Sequence, residues 1–177
     1  MQDLSKEELR RLLHVARLDS ERNWLMLLIA FRHGLRVSEV IALTKDNFDQ
    51  ARLTVRRLKG SKRTSQGLIS RNDSLFDERS ALVEYIQRLA PNQRLFPINR
   101  QRADQIIKTY GKLAGIPKEK RHMHALKHTC ARLNLRGGAK IDEVRQWLGH
   151  ESLASTGEYL KLTDEEATQA ADRSMGV

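Results

Sequence analysis

Four separated segments of this 177-residue chain pair charged or polar side chains with helix-end positions, where such groups can converge on an anion. The first is His33-Gly34-Leu35-Arg36-Val37-Ser38-Glu39. Arg36 opens a helix there, and an arginine fork grips phosphate through two parallel hydrogen bonds while Glu39, one turn later, can steady it. Taken alone, the same pair is equally a surface i,i+3 ion pair. The second is Lys59-Gly60, inside a stretch, 56–64, that holds five cations: Arg56, Arg57, Lys59, Lys62 and Arg63. That stretch reads as a cationic finger for a polyanion backbone, or as a solvated patch. The third is His122-Met123-His124-Ala125-Leu126-Lys127-His128. His124 and His128 share a helix face at a zinc-site spacing, but the glutamate of a His-Glu-x-x-His site is missing, so no metal is expected. The fourth is Trp147-Leu148-Gly149-His150, followed nine residues later by Tyr159. A tyrosine there is a candidate nucleophile or a packing residue with a wet hydroxyl.

These groups need elements to position them. Ser5 and Glu8 have capping-box spacing ahead of Leu9, Leu12, Leu13 and Ala16, which predicts a first helix over about Ser5 to Arg17. Glu21 to His33 is apolar on nearly all sides and reads as a buried central helix closed by Gly34. The chain restarts at Val37, which leaves Arg36 at a helix entrance. From Asp46 to Ile69 the pattern shortens, predicting two or three strands around Leu53, Val55 and Leu68 to Ile69. Helices are expected over Asp77 to Leu89, Arg102 to Leu113, His124 to Leu135, Ile141 to Leu148, Ser152 to Leu160 and Asp164 to Arg173. The expected architecture is mostly α with a small antiparallel β-sheet, in a single domain over residues 1–177.

Composition narrows the partners. Lys and Arg total 32 against 22 acids, and a formal charge of +10 on this small body attracts nucleic acid or an anionic membrane. The basic residues are dispersed and no basic amphipathic helix with a bulky aromatic face is evident, which argues against the membrane. The longest apolar run, Trp24 to Phe31, is far short of the roughly 20 residues a span requires. No apolar leader occupies the N-terminus, so the protein is expected to stay in the cytoplasm. The lone Cys130 can form no internal disulfide.

Taken together, the segments resemble the catalytic domain of the tyrosine recombinases, the phage integrase family, over essentially the whole chain. His33 to Glu39 resembles the family's Gly-Leu-Arg-x-Ser-Glu box, and His124-Ala125-Leu126-Lys127-His128-Thr129 its His-x-x-Arg-His-Thr element. Leu148-Gly149-His150 and Tyr159 resemble its Leu-Gly-His element and terminal tyrosine. Lys59 falls where the family places a hairpin lysine, with Lys62 close by. One position departs: lysine stands at 127 where the family has arginine, keeping the charge but losing the two-pronged grip. The family's separate N-terminal DNA-clamping domain has no counterpart in this chain, which is expected to be either a piece of a longer protein or a short member like the fimbrial-switch recombinases.

The resemblance implies a site-specific recombinase, phage or bacterial, that cuts and rejoins DNA through a 3′-phosphotyrosyl intermediate without cofactor or metal. Tyr159 would be the nucleophile, with Arg36, Lys127, His124 and His150 around the phosphate. His124 would accept the tyrosine proton and Lys59 would protonate the leaving oxygen, with Glu39 in support. Arg56, Arg57, Lys62 and Arg63 would bind the DNA backbone. The implied partners are double-stranded DNA, a homotetramer on that DNA exchanging a C-terminal element, and room for a DNA-bending accessory protein. Two neighbouring readings use the same fold: a catalytically weakened DNA-binding regulator, favoured by Lys127, and a topoisomerase that only nicks and reseals.

Overall fold

Ser20 ends one helix and begins the next, and this shared cap sets the first corner of the fold. The computed structural model describes residues 3–49, 51–57 and 63–149. α1 (Lys6–Asp19) starts at the capping box: the Ser5 hydroxyl accepts from Glu8 N–H at 3.0 Å, and the Glu8 carboxylate accepts from Ser5 N–H at 2.7 Å. Its leucines at 9, 12 and 13 are buried. Ser20 N–H then donates to Ala16 C=O while its hydroxyl accepts from Asn23 N–H, opening α2 (Glu21–Arg32). Every residue from Asn23 to Phe31 in α2 is buried, as its all-round apolar sequence requires. Each large aliphatic side chain so enclosed contributes about 1.5–3 kcal/mol.

The other elements wrap this helix. α1, α4 (Glu78–Gln87), α6 (Met123–Arg136) and the short α3 (Val37–Ile41) all pack on α2. α5 (Arg100–Leu113) covers α1 and α3 and is tied to α2 by Asn23 Nδ2, which donates to the Tyr110 hydroxyl at 2.7 Å. Leu4 N–H donates to Thr129 Oγ1 at 2.8 Å, anchoring the start of the described chain to α6. α7 (Ile141–Leu148) closes against α6 and the sheet. The buried apolar side chains of the described residues form one cluster.

The sheet has two antiparallel strands, β1 (Arg52–Val55) and β2 (Thr64–Gly67), in register from Arg52 opposite Gly67 to Val55 opposite Thr64. Three boundaries correct the sequence reading. Leu68 and Ile69 lie beyond β2: Leu68 N–H donates to Ala51 C=O, and Ile69 N–H to the Glu78 carboxylate, as the chain leaves the ladder for α4. α5 begins at Arg100 rather than Arg102, because Asn99 Oδ1 accepts from Arg102 N–H and caps the helix. α2 stops at Arg32, with His33 as its cap. The helices expected over Ser152 to Leu160 and Asp164 to Arg173 lie outside the described residues.

The turn after α2 is the tightest point. Gly34 has φ +57°, and a Cβ built on it would lie 2.3 Å from Leu148 Cδ2 of α7. Gly34→Ala therefore faces both left-handed strain and a clash with a packed leucine. We expect it to lower stability by more than ~1 kcal/mol, read as a reduced urea midpoint at unchanged m-value.

Candidate functional site

Arg36 is held at the N-cap of α3 by extended backbone, φ −72° and ψ 155°. Its own N–H donates to Glu39 Oε2 at 2.8 Å, and its Nη1 donates to Glu39 Oε1 at 3.2 Å. The pair is not a surface ion pair. The Glu39 side chain is fully buried, whereas the Arg36 side chain keeps 32% exposure, so the carboxylate anchors a guanidinium whose remaining donors face outward. They face a cleft of about 800 Å³ that is also lined by Ser38, Arg100, Asp104, His122 and His124.

His122 caps α6, its Nδ1 accepting from Ala125 N–H at 3.1 Å, and this places His124 in the first turn beside Arg36. The His124 ring stands edge-on to His128, centroids 4.4 Å apart. Desolvation by the surrounding atoms, together with the charges of His128, Lys127, His122 and Arg36, pushes its pKa down to about 4. His124 is therefore a neutral imidazole at neutral pH, and its surroundings resist protonation. One turn further along α6, Lys127 is buried, with Nζ 3.5 Å from Leu148 C=O. Burial first, then repulsion from Arg36 and Arg57, lowers its pKa to about 7, with Glu39 opposing. An arginine would stay charged there at any physiological pH; a lysine does not.

The expectation that Arg57 belongs to an outward cationic finger is overturned. Its side chain is fully buried, and all its nitrogens are occupied. Nη1 donates to Glu39 Oε2 at 3.2 Å and to Gly34 C=O at 3.4 Å; Nη2 donates to the carbonyls of His33 and Trp147, each at 3.0 Å; Nε donates to Thr64 Oγ1 at 3.0 Å. The physical reason is that α2 and α7 both end here, leaving orphan carbonyls that a five-donor fork satisfies. Arg57 is interior framework and has no donor left for DNA. Arg56, just past β1, and Arg63, just before β2, are exposed. Lys59, Lys62, His150 and Tyr159 lie outside the described residues.

The structure thus brings Arg36, Glu39, His124 and Lys127 to one place, and adds residues that the sequence reading missed. Arg100 reaches the cleft from the first turn of α5, hidden in sequence because that helix was expected to begin two residues later. Gln66 donates to Trp147 C=O at 2.5 Å, and Glu78 is buried beside His33; neither carries a sequence signal. Among the described residues no group of three or more His, Cys, Asp or Glu could hold a metal ion.

A sequence model of the phage integrase family matches residues 2–166, and the chain belongs to that family, the tyrosine recombinases. It is 30% identical over 177 residues to tyrosine recombinase XerA of Thermococcus kodakarensis, covering 97% of this chain and 62% of that protein. It is 30% identical over 152 residues to the type 1 fimbriae regulatory protein FimE of Escherichia coli K12, covering 78% of this chain and 73% of FimE. The crystal structure of XerA recombinase superimposes with a TM-score of 0.79 at 26% identity, over 97% of this chain and 62% of that one. XerH site-specific recombinase, in a pre-cleavage complex with its difH substrate, superimposes with a TM-score of 0.76 at 23% identity, over 97% of this chain and 54% of that one. The chain thus spans about three fifths of the length of its XerA relatives.

Removing Arg57 separates the two readings of it. Arg57→Leu removes the buried countercharge of Glu39 and the side-chain donor to the His33 and Gly34 carbonyls, and we expect a loss of about 3–5 kcal/mol in urea unfolding. A protein of unchanged stability and weakened DNA affinity would instead make Arg57 a backbone contact.

Proposed function

We propose that this chain is the catalytic domain of a site-specific DNA recombinase that cuts and rejoins double-stranded DNA through Tyr159. The observation that carries the proposal is the outward-facing Arg36 guanidinium, anchored by buried Glu39 and set beside neutral His124 on a cleft that Arg100 also lines. Membership of the tyrosine recombinase family and a net charge of +10 support the same reading. So does XerH, a structural neighbour whose complex holds its difH substrate.

In the proposed step the Tyr159 hydroxyl oxygen attacks a phosphodiester phosphorus, the bond to the 5′-oxygen breaks, and a 3′-phosphotyrosyl ester forms. A tyrosine hydroxyl has an ordinary pKa of about 10, so a proton acceptor is required. His124 takes that proton, and Lys59 delivers one to the departing 5′-oxygen. Arg36, charged Lys127 and His150 stabilise the added negative charge on the nonbridging oxygens. The phosphoester energy is kept in the covalent intermediate, so a free 5′-hydroxyl reverses the step without another energy source. Arg56, Lys62 and Arg63 contact backbone phosphates around the site, as does Arg100. The assembled form is a homotetramer on DNA, in the cytoplasm of a bacterium or of a phage host, with a bending protein as a further partner.

Two outcomes test this. A nicked duplex carrying the cognate site should trap a denaturant-resistant protein–DNA adduct that Tyr159→Phe abolishes; an adduct persisting in that variant would remove Tyr159 from the mechanism. The pH profile tests Lys127. Its cationic form is lost as pH rises through about 7, so adduct formation should fall above that pH. Lys127→Arg should hold its rate to higher pH, and a parent profile flat from pH 6 to 9 would take the Lys127 charge out of the chemistry.

A further inference from the structure

Behind the cleft lies a buried polar group that strand transfer, as described, does not use. The His33 side chain is fully enclosed and stacks on Trp147, ring centroids 6.0 Å apart. Its Nδ1 lies 2.9 Å from Gln66 Oε1 and its Nε2 lies 3.0 Å from Glu78 Oε2. The orientation of the Gln66 amide is constrained, because its Nε2 donates to Trp147 C=O and a reversed amide would set two oxygens against each other. Gln66 therefore offers Nδ1 only an acceptor, and Nδ1 carries a hydrogen. On the other side, Glu78 Oε1 accepts from Ile69 N–H at 3.0 Å and lies 3.9 Å from Arg32 Nε, which leaves Oε2 to face His33. As a carboxylate, Glu78 offers Nε2 only lone pairs, and Nε2 then carries a hydrogen as well.

We propose that His33 is a positioning residue held as an imidazolium, donating at once to Glu78 of α4 and Gln66 of β2 and thereby fixing the carbonyl end of α7. The charged groups around it are Glu78, Arg32 of α2 and Arg57, whose Nη2 binds the His33 carbonyl. From α6, Cys130 presents a thiol that burial holds neutral by pushing its pKa up to about 12. Removing either imidazole proton sets a nitrogen lone pair against an oxygen. At Nδ1, relief requires Gln66 to turn, which releases the Trp147 carbonyl it shares with Arg57. The next carbonyl, of Leu148, faces Lys127, and Gly149 with φ +68° then leads toward His150 in sequence. The state of His33 is thus linked to the segment that supplies one of the proposed phosphate ligands; its effect on catalysis rests on the recombinase reading, whereas its protonation does not.

The experiment has two arms. Long-range proton–nitrogen correlation NMR on histidine-labelled protein at pH 7 distinguishes imidazolium from either neutral tautomer. His33, assigned through bonds to its own backbone, should show two protonated ring nitrogens, while His124 shows one. A single unprotonated nitrogen on His33 overturns the proposal, whether or not the protein cleaves DNA. The second arm uses Gln66→Glu, which keeps an acceptor for Nδ1 and removes the donor to Trp147 C=O. The imidazolium signature should persist, and the rate of adduct formation on saturating nicked DNA should fall about 10-fold or more at unchanged DNA affinity. An unchanged rate, or a loss confined to affinity, overturns the positioning role. If the parent forms no adduct at all, the recombinase reading fails while the spectroscopic arm still decides the state of His33.

Discussion

The guanidinium of Arg57 is the joint on which the site depends. Two helices, α2 and α7, end within reach of it, and helix ends carry carbonyls with no intrahelical partner and a partial negative charge. Arg57 satisfies both and uses its remaining donors on Thr64 of the sheet and on Glu39 of α3. One side chain thus fixes four elements relative to one another. Only a planar, permanently charged fork with five N–H groups can do this. Gly34 and Gly149 belong to the same device: both have positive φ, and both lie where a side chain would strike a neighbour, Leu148 in one case and Arg57 in the other.

Cations of two kinds follow from that joint. Glu39 is shared between Arg57, which is sealed in, and Arg36, which opens onto the cleft. Because the carboxylate is already oriented by the buried arginine, Arg36 is presented in one geometry before any anion arrives, so less ordering is needed on binding. Lys127 is the unusual member. It is buried among like charges with one long hydrogen bond to a carbonyl among the described residues, and this moves its titration into the neutral range. An arginine in that position would stay charged throughout the neutral range; a lysine ties its charge to pH.

Much of this was legible in the chain because it is local. The Ser5–Glu8 box, the uninterrupted apolar run of α2, the span of α7 from Ile141 to Leu148 and the position of Arg36 at a helix entrance all depend on residues within a turn or two. The strand assignment failed at Leu68 and Ile69 for a non-local reason, since Glu78 of α4 draws the Ile69 N–H out of the ladder. Arg57 failed in the same way. Among five closely spaced cations nothing in sequence marks the one that turns inward, because the carbonyls it satisfies come from residues 23, 24 and 90 positions away.

By itself, then, the sequence determined the class of protein and the helices of the described residues, and it singled out Arg36, His124, Lys127, His150 and Tyr159 as a candidate set, because residue type and short-range spacing carry that information. Only the tertiary structure decided which charges face the cleft and which are consumed inside. Burial is settled by the packing of distant segments, and it converts Arg57 from a candidate DNA contact into framework. Burial also moves Lys127 and His124 away from their ordinary titration ranges and closes His33 between an amide oxygen and a carboxylate. Desolvation and long-range hydrogen bonding are properties of the folded chain, and no spacing rule along the sequence encodes them.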